Sequence, residues 1–112
     1  MISVSFLKFR YQVVGFNISG HSESRQNTSV SGRLVCAAVS SAAIMVANGI
    51  SKILETEKYI QVTNGKLLVK IDLEYIIPCK ALFDALFFHL KELSKDYPNN
   101  IKFCEKELSY SD

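Results

Sequence analysis

The spacing of apolar residues changes repeatedly along this chain, and these changes constrain its fold more than any other feature. In residues 1–9 and 13–20, apolar and polar side chains alternate, as in strands with one buried face. Residues 33–57 and 78–96 instead carry apolar side chains every three or four positions, the spacing of amphipathic helices. The alternation returns in residues 59–72 and again near the C-terminus. The pattern therefore predicts the element order ββαββαβ.

Turn-forming residues support these boundaries. A short turn near Arg10 is expected to join the first two strands. Asn64-Gly65 interrupts the second alternating region and predicts a type I′ hairpin turn, in which both residues have positive φ. Pro78 is predicted to open the second helix, because proline is tolerated in a first helical turn. Hairpins that alternate with helices indicate an α+β fold, with an antiparallel sheet carrying both helices on one face.

The composition bounds what this chain can be. Its 112 residues, of which 48% are hydrophobic and 21% charged, predict a single globular domain over residues 1–112. The formal net charge is +2 and the lysines are spread singly, so we expect no direct nucleic-acid binding. The three cysteines lack CxxC spacing, which disfavours a zinc site or a disulfide framework. No nucleotide-binding or metalloenzyme signature is present, and we expect no cofactor and no metal.

The chain also gives expectations about its compartment. The N-terminus alternates like a strand and lacks the pattern of a signal peptide. The longest apolar stretch, residues 34–50, is interrupted by Ser40, Ser41 and Asn48. We expect this stretch to be too short for a bilayer, which needs about 20 residues. The prediction is a cytoplasmic protein with reduced thiols and no membrane partner.

One cysteine and one histidine occupy positions where a reactive pair could form. Cys36 falls in the first turn of the predicted 33–57 helix, where the helix dipole and free N–H groups favour a thiolate. His21 follows the second strand and precedes a polar loop, from which it could fold back as a base. Arg33 could further stabilise the thiolate, or simply lie in solvent. The alternative is a cysteine that only packs, which is the commonest role of a free thiol.

The remaining candidates are weaker. Cys79 lies beside Pro78 at a helix start but has no histidine near it in the sequence. Cys104 is expected to pack in the last strand, and His89 to lie half-buried at the border of an apolar stripe. Four apolar residues fall outside the predicted core stripes of the two helices, namely Leu34, Ile44, Met45 and Phe88. We interpret them as a second buried surface, in a homodimer or against another partner.

Two segments resemble the motifs of the bacterial ribosomal-processing cysteine proteases, the family called Prp. They are Gly20-His21-Ser22 and Leu34-Val35-Cys36-Ala37-Ala38-Val39-Ser40. The family motifs are Gly-His-Ala, then a loop, then Asp-Ile-Val-Cys-Ala-Ala-Val-Ser at a helix start. Residues 35–40 match the second motif at every position, and Leu34 replaces its isoleucine. The chain differs by Ser22 for alanine, by Arg33 for aspartate, and by a longer loop at residues 22–33.

The resemblance implies an activity and a site. Members of this family are cysteine endopeptidases that remove a short N-terminal extension from a large-subunit ribosomal protein, so that N-terminal peptide is the implied partner. The implied catalytic residues are Cys36 as nucleophile and His21 as general base and acid. We expect Gly20, Ser22 and Ser40, which flank this pair in the sequence, to contact the substrate. The family fold is a small α+β sandwich, commonly a homodimer.

Two other functions stay open. One is a non-catalytic ribosome-assembly or peptide-binding module on the same scaffold, which Arg33 and the altered loop favour. The other is a thiol hydrolase or transferase that acts on small acyl substrates.

Overall fold

Five strands and two helices make up the described part of the molecule. The structure is a computed structural model that describes residues 1–20 and 30–109. The predicted order ββαββαβ is confirmed. The elements are β1 (Ile2–Phe9), β2 (Gln12–Ser19), α1 (Val30–Leu54), β3 (Ile60–Thr63), β4 (Lys66–Lys70), α2 (Ile76–Asp96) and β5 (Ile101–Glu107). A 3-10 turn at Leu73–Tyr75 leads directly into α2, which therefore begins two residues before Pro78.

The strands form one sheet in the order β3-β4-β2-β1-β5. The pairs β3–β4, β4–β2 and β2–β1 are antiparallel, whereas β5 lies parallel to β1. The predicted α+β class is confirmed, but the expectation of a wholly antiparallel sheet is wrong at this edge. The reason is that α2 carries the chain back along the sheet, so β5 runs in the same direction as β4 and hence as β1.

One face of the sheet is covered by both helices. Val4, Phe6, Phe16 and Ile18 point to this face and are almost completely buried. The buried residues of α1 are Val35, Val39, Ala43, Val46, Ala47 and Ile50, and those of α2 are Cys79, Phe83, Leu86, Phe87 and Leu90. These sets largely confirm the predicted helical stripes. Ile53 was expected in the α1 stripe but is exposed, because the helix ends at the next residue.

A cluster of phenylalanines connects the sheet to α2. The ring centroid of Phe6 lies 5.2 Å from that of Phe87, 5.6 Å from Phe103 and 6.0 Å from Phe16. Phe16 in turn meets Phe83 edge-on at 6.2 Å. Aromatic pairs of this kind each contribute about 0.5–1.5 kcal/mol beyond the burial of their area. The cluster therefore fixes β1, β2 and β5 against the same helix.

The two hairpin turns differ from what their sequences suggest. Arg10 and Tyr11 both have positive φ, 49° and 71°, which is the pattern of a type I′ turn. In the second hairpin Gly65 has a φ of 76°, but Asn64 is not among the described residues with positive φ. The type I′ prediction is therefore wrong for Asn64-Gly65. A positive φ at the second position alone is the type II pattern, which glycine accommodates without steric cost.

α1 has the predicted length of 25 residues but begins three residues earlier than predicted, at Val30. An 18-residue window of this helix has a mean hydropathy of 1.8, so the helix is long and apolar enough to cross a membrane by length and composition alone. The expectation that the apolar stretch at residues 34–50 is too short to do so is wrong. Core helices of soluble proteins meet the same criteria, and 33% of that window is buried inside the molecule. The helix is therefore weak support for a membrane location.

Candidate active site

Cys36 is the seventh residue of α1, near the end of the second helical turn. The prediction of a first-turn cysteine is wrong, because the helix begins at Val30 rather than near Arg33. Gly32 lowers helix propensity by about 1 kcal/mol relative to alanine, which argued for a later start. The helix nevertheless extends through Gly32 to Val30. The Cys36 thiol is free of disulfides, half-buried, and packed against the core.

This position changes the electrostatics expected around the thiol. Only the N–H groups at the very start of a helix lack an intrahelical acceptor, and Cys36 lies beyond them. The N–H of Cys36 instead points along the helix toward the carbonyl of Gly32. Because the effect of the helix dipole falls off within the first turn, it favours a Cys36 thiolate less than the sequence suggested.

Gly20 directly follows β2 and lies beside the β3–β4 hairpin. Its N–H donates a hydrogen bond to the carbonyl of Gly65 at 3.1 Å, and its φ is 92°. A Cβ at this position would lie 2.9 Å from the carbonyl oxygen of Met1, so the backbone requires glycine here. His21 and Ser22, which follow directly, lie outside the described residues, so their predicted roles remain predictions.

Ser40 lines an apolar cavity of about 280 Å³ between α1, the end of β2 and the β3–β4 hairpin. The lining residues are Ile18, Ser40, Ala43, Ile44, Val62, Lys66 and Leu67. Of these residues, Ser40 was expected to contact the substrate and Ile44 to contact a partner, whereas the others were not singled out from the sequence. A signal did exist, because Ser40, Ala43 and Ile44 follow Cys36 by four, seven and eight positions and so share its side of the helix.

The direction of the chain brings Gly20 and Cys36 toward the same end of this cavity. β2 and β3 are both antiparallel to β4, so α1 must run back along the sheet, antiparallel to β2. Ile18 of β2 lines the cavity together with Ser40 and Ala43 of α1. Gly20 is two residues further along β2, and therefore lies toward the N-terminal part of α1, where Cys36 is located.

The other candidate residues do not form a site in the described part of the chain. Cys79 is fully buried in α2, and burial raises the pKa of its thiol, which keeps it protonated and unreactive. Cys104 is exposed rather than packed, because it lies on the face of the sheet opposite the helices, where its Sγ is 3.1 Å from Ser5 Oγ. His89 is exposed rather than half-buried. Within residues 1–20 and 30–109, no group of three His, Cys, Asp or Glu side chains could hold a metal.

Comparison with known proteins identifies a family that matches this chain. The sequence model of the family described as cysteine protease Prp matches residues 1–102. No curated protein matches the chain at a significant level.

Several solved structures resemble this fold. A protein from Streptococcus mutans has a TM-score of 0.78 at 16% identity, and the match covers 96% of this chain and 99% of that protein. The ribosomal processing protease Prp from S. aureus, in complex with a substrate peptide, has a TM-score of 0.75 at 17% identity, covering 95% and 100%. At such identities the structures support the fold alone. The family match extends over nearly the whole sequence, and the chain belongs to the cysteine protease Prp family.

Proposed function

We propose that this protein is a cysteine endopeptidase that removes the N-terminal extension of a large-subunit ribosomal protein, acting in the cytoplasm, where thiols stay reduced. The observation that carries the proposal is the half-buried thiol of Cys36 on the side of α1 that faces an apolar cavity, with the end of β2 directed toward that cavity. Membership of the Prp family and the likeness to a peptide-bound ribosomal processing protease support it.

The proposed reaction has two stages. The Cys36 thiolate attacks the scissile carbonyl, and His21 gives its proton to the leaving amine as the peptide bond breaks. The acyl group is then held as a thioester on Cys36. Water, deprotonated by His21, hydrolyses this thioester and restores the thiol. The oxyanion needs donors other than the Cys36 N–H, which the helix occupies.

A cleavage assay with cysteine variants tests this function. The substrate is a synthetic peptide with the N-terminal residues of the same organism's large-subunit ribosomal protein, and mass spectrometry detects the products. We expect Cys36→Ala to lower kcat at least about 10³-fold, because no other group can form the thioester. Cys104→Ala, which changes the exposed thiol on the opposite face of the sheet, should cleave like the wild type. Cleavage by Cys36→Ala at the wild-type rate would refute the assignment.

A non-catalytic peptide-binding module is the second candidate. The observation that favours it is the second-turn position of Cys36, which weakens the help expected from the helix N-terminus. Arg33 at the position of the family's aspartate points the same way. Under this alternative, the wild-type protein and Cys36→Ala bind the peptide equally well and neither cleaves it.

We also propose that the protein forms a homodimer through the outward-facing side of α1. Leu34 and Met45 are each 66% exposed on this side. The helix carries no charged residue between Arg33 and Lys52. An uncharged, largely apolar helix side of this length is unusual on the surface of a monomer.

A further inference from the structure

The apolar cavity between α1 and the β3–β4 hairpin lies on the same side of the helix as Cys36. At about 100° per residue, Ser40, Ala43 and Ile44 turn by less than about 90° from the direction of Cys36. At a rise of about 1.5 Å per residue, they lie roughly 6 to 12 Å further along the helix axis. The cavity is therefore next to the thiol but does not contain it.

The walls of this cavity define what it can bind. Its inner surface consists of Ile18, Ala43 and Leu67, all buried and apolar. Val62 and Ile44 form its rim and are 75% and 52% exposed. No acidic residue is among its described lining residues. Its volume of about 280 Å³ is below the range of about 300–1,000 Å³ typical of pockets for whole ligands, and suits one or two side chains.

A second cavity, of about 220 Å³, is less suited to a substrate of Cys36. It lies between α1 and α2 and is lined in part by Leu34, Val35 and Ala38. These residues turn about 100° or more away from Cys36 around the helix. A peptide whose carbonyl lies at the thiol would pass along the hairpin side of α1 rather than this side.

We propose that the hairpin cavity is a specificity subsite that binds an apolar side chain of the peptide substrate, two to four residues from the scissile bond. An extended peptide advances about 3.3 Å per residue, so 6 to 12 Å corresponds to that separation. Val62 is the specificity-determining residue at the rim, because its side chain is the most exposed of the apolar lining. The subsite rests on the proposed endopeptidase function.

A pair of neighbouring substitutions tests the subsite. Val62→Asp adds a carboxylate to the rim of the cavity, whereas Gln61→Asp adds one to the adjacent residue of β3, which faces the other side of the sheet. Both positions are exposed on an edge strand, so the effects on folding are matched. The full chain is assayed with the ribosomal-protein peptide and with versions in which each apolar residue in turn is replaced by lysine.

The expected result is a change in specificity. Val62→Asp should raise KM for the unaltered peptide about tenfold with little change in kcat. The reason is that an apolar side chain of the bound peptide would cover the new carboxylate without giving it a polar partner. Val62→Asp should also cleave one of the lysine peptides better than the wild type does, and in that peptide the lysine should lie two to four residues from the scissile bond. Gln61→Asp should retain wild-type constants.

The contrary outcomes separate the two proposals. Equal KM values for Val62→Asp and Gln61→Asp, with an active wild type, would overturn the subsite alone. The subsite would also be overturned if Val62→Asp preferred a peptide with lysine directly beside the scissile bond, because the cavity lies further than one residue from Cys36. No cleavage by the wild type would overturn the endopeptidase function and the subsite with it.

Discussion

At the scale of single residues, the three cysteines differ in their environment. Cys79 is fully buried, and burial raises the pKa of its thiol. Cys104 is exposed and close to a serine hydroxyl. Cys36 is half-buried, packed against the core, and on the side of α1 that faces the cavity. Of the three, only Cys36 combines partial exposure with an adjacent cavity that a substrate could enter, as a reactive thiol requires.

The sequence could predict the identity of this residue but not its surroundings. The motif around Cys36 singled it out, and the helical period gave its location at the rim of the buried stripe. Its place in the second turn depends on where α1 begins, and the low helix propensity of Gly32 argued against the observed start at Val30. A similar limit applies to Gly15, where a Cβ would overlap the carbonyl oxygen of Val69 on the neighbouring strand. Nothing local in the sequence marks that close approach.

At the scale of secondary-structure elements, the C-terminus of α1 ends in a Schellman motif without glycine. Glu55 has a φ of 55°, and the N–H of Thr56 donates a hydrogen bond to the carbonyl of Ser51 at 3.2 Å. Glycine usually occupies the left-handed position of this motif, because other residues meet steric strain there. The helix end therefore carries a local cost that one substitution can relieve.

We expect Glu55→Gly to stabilise the fold by about 0.5–1 kcal/mol, since relief of strain outweighs the greater flexibility of glycine in the unfolded chain. Urea denaturation followed by circular dichroism measures the change. Glu57→Gly, an exposed position outside the helix, is the control and should be neutral or slightly destabilising. If Glu55→Gly were neutral or destabilising, like the control, Glu55 would not be strained at the helix end.

Turns illustrate how much of each element the sequence predicts. Both hairpins were located correctly from alternation and loop length. Their conformations were not, since Arg10 and Tyr11 adopt the positive φ values that sequence preference assigned to Asn64-Gly65. The strand pairing explains this, because the twist of the long β1–β2 pair requires a primed turn whatever residues occupy it.

At the scale of the whole molecule, the element order and the composition of the core follow from hydrophobic periodicity, whereas strand direction does not. Helices that cross one face of the sheet return the chain to the end where the preceding strand began. This makes β5 parallel to β1 although every hairpin is antiparallel. The candidate site has the same origin, since α1 runs antiparallel to β2 and so brings residues of the two motifs toward one cavity.

The uncharged outer side of α1 gives a prediction about assembly. We expect the wild-type protein to sediment as a dimer at micromolar concentration, and Met45→Arg to sediment as a folded monomer, because a charge there would be buried without a partner. Ile77→Arg, at an exposed apolar position on α2, should remain a dimer. A wild-type monomer in this experiment would rule out the homodimer.

The most direct test of the central claim is the rate at which iodoacetamide alkylates each cysteine at pH 7, measured by peptide mass spectrometry in the wild type and in His21→Ala. Exposed Cys104 serves as the reference thiol, and buried Cys79 should react most slowly. If Cys36 is a nucleophile activated by His21, it should react at least about tenfold faster than Cys104, and that advantage should disappear in His21→Ala. A Cys36 rate equal to that of Cys104 and unchanged by His21→Ala would contradict the catalytic pair.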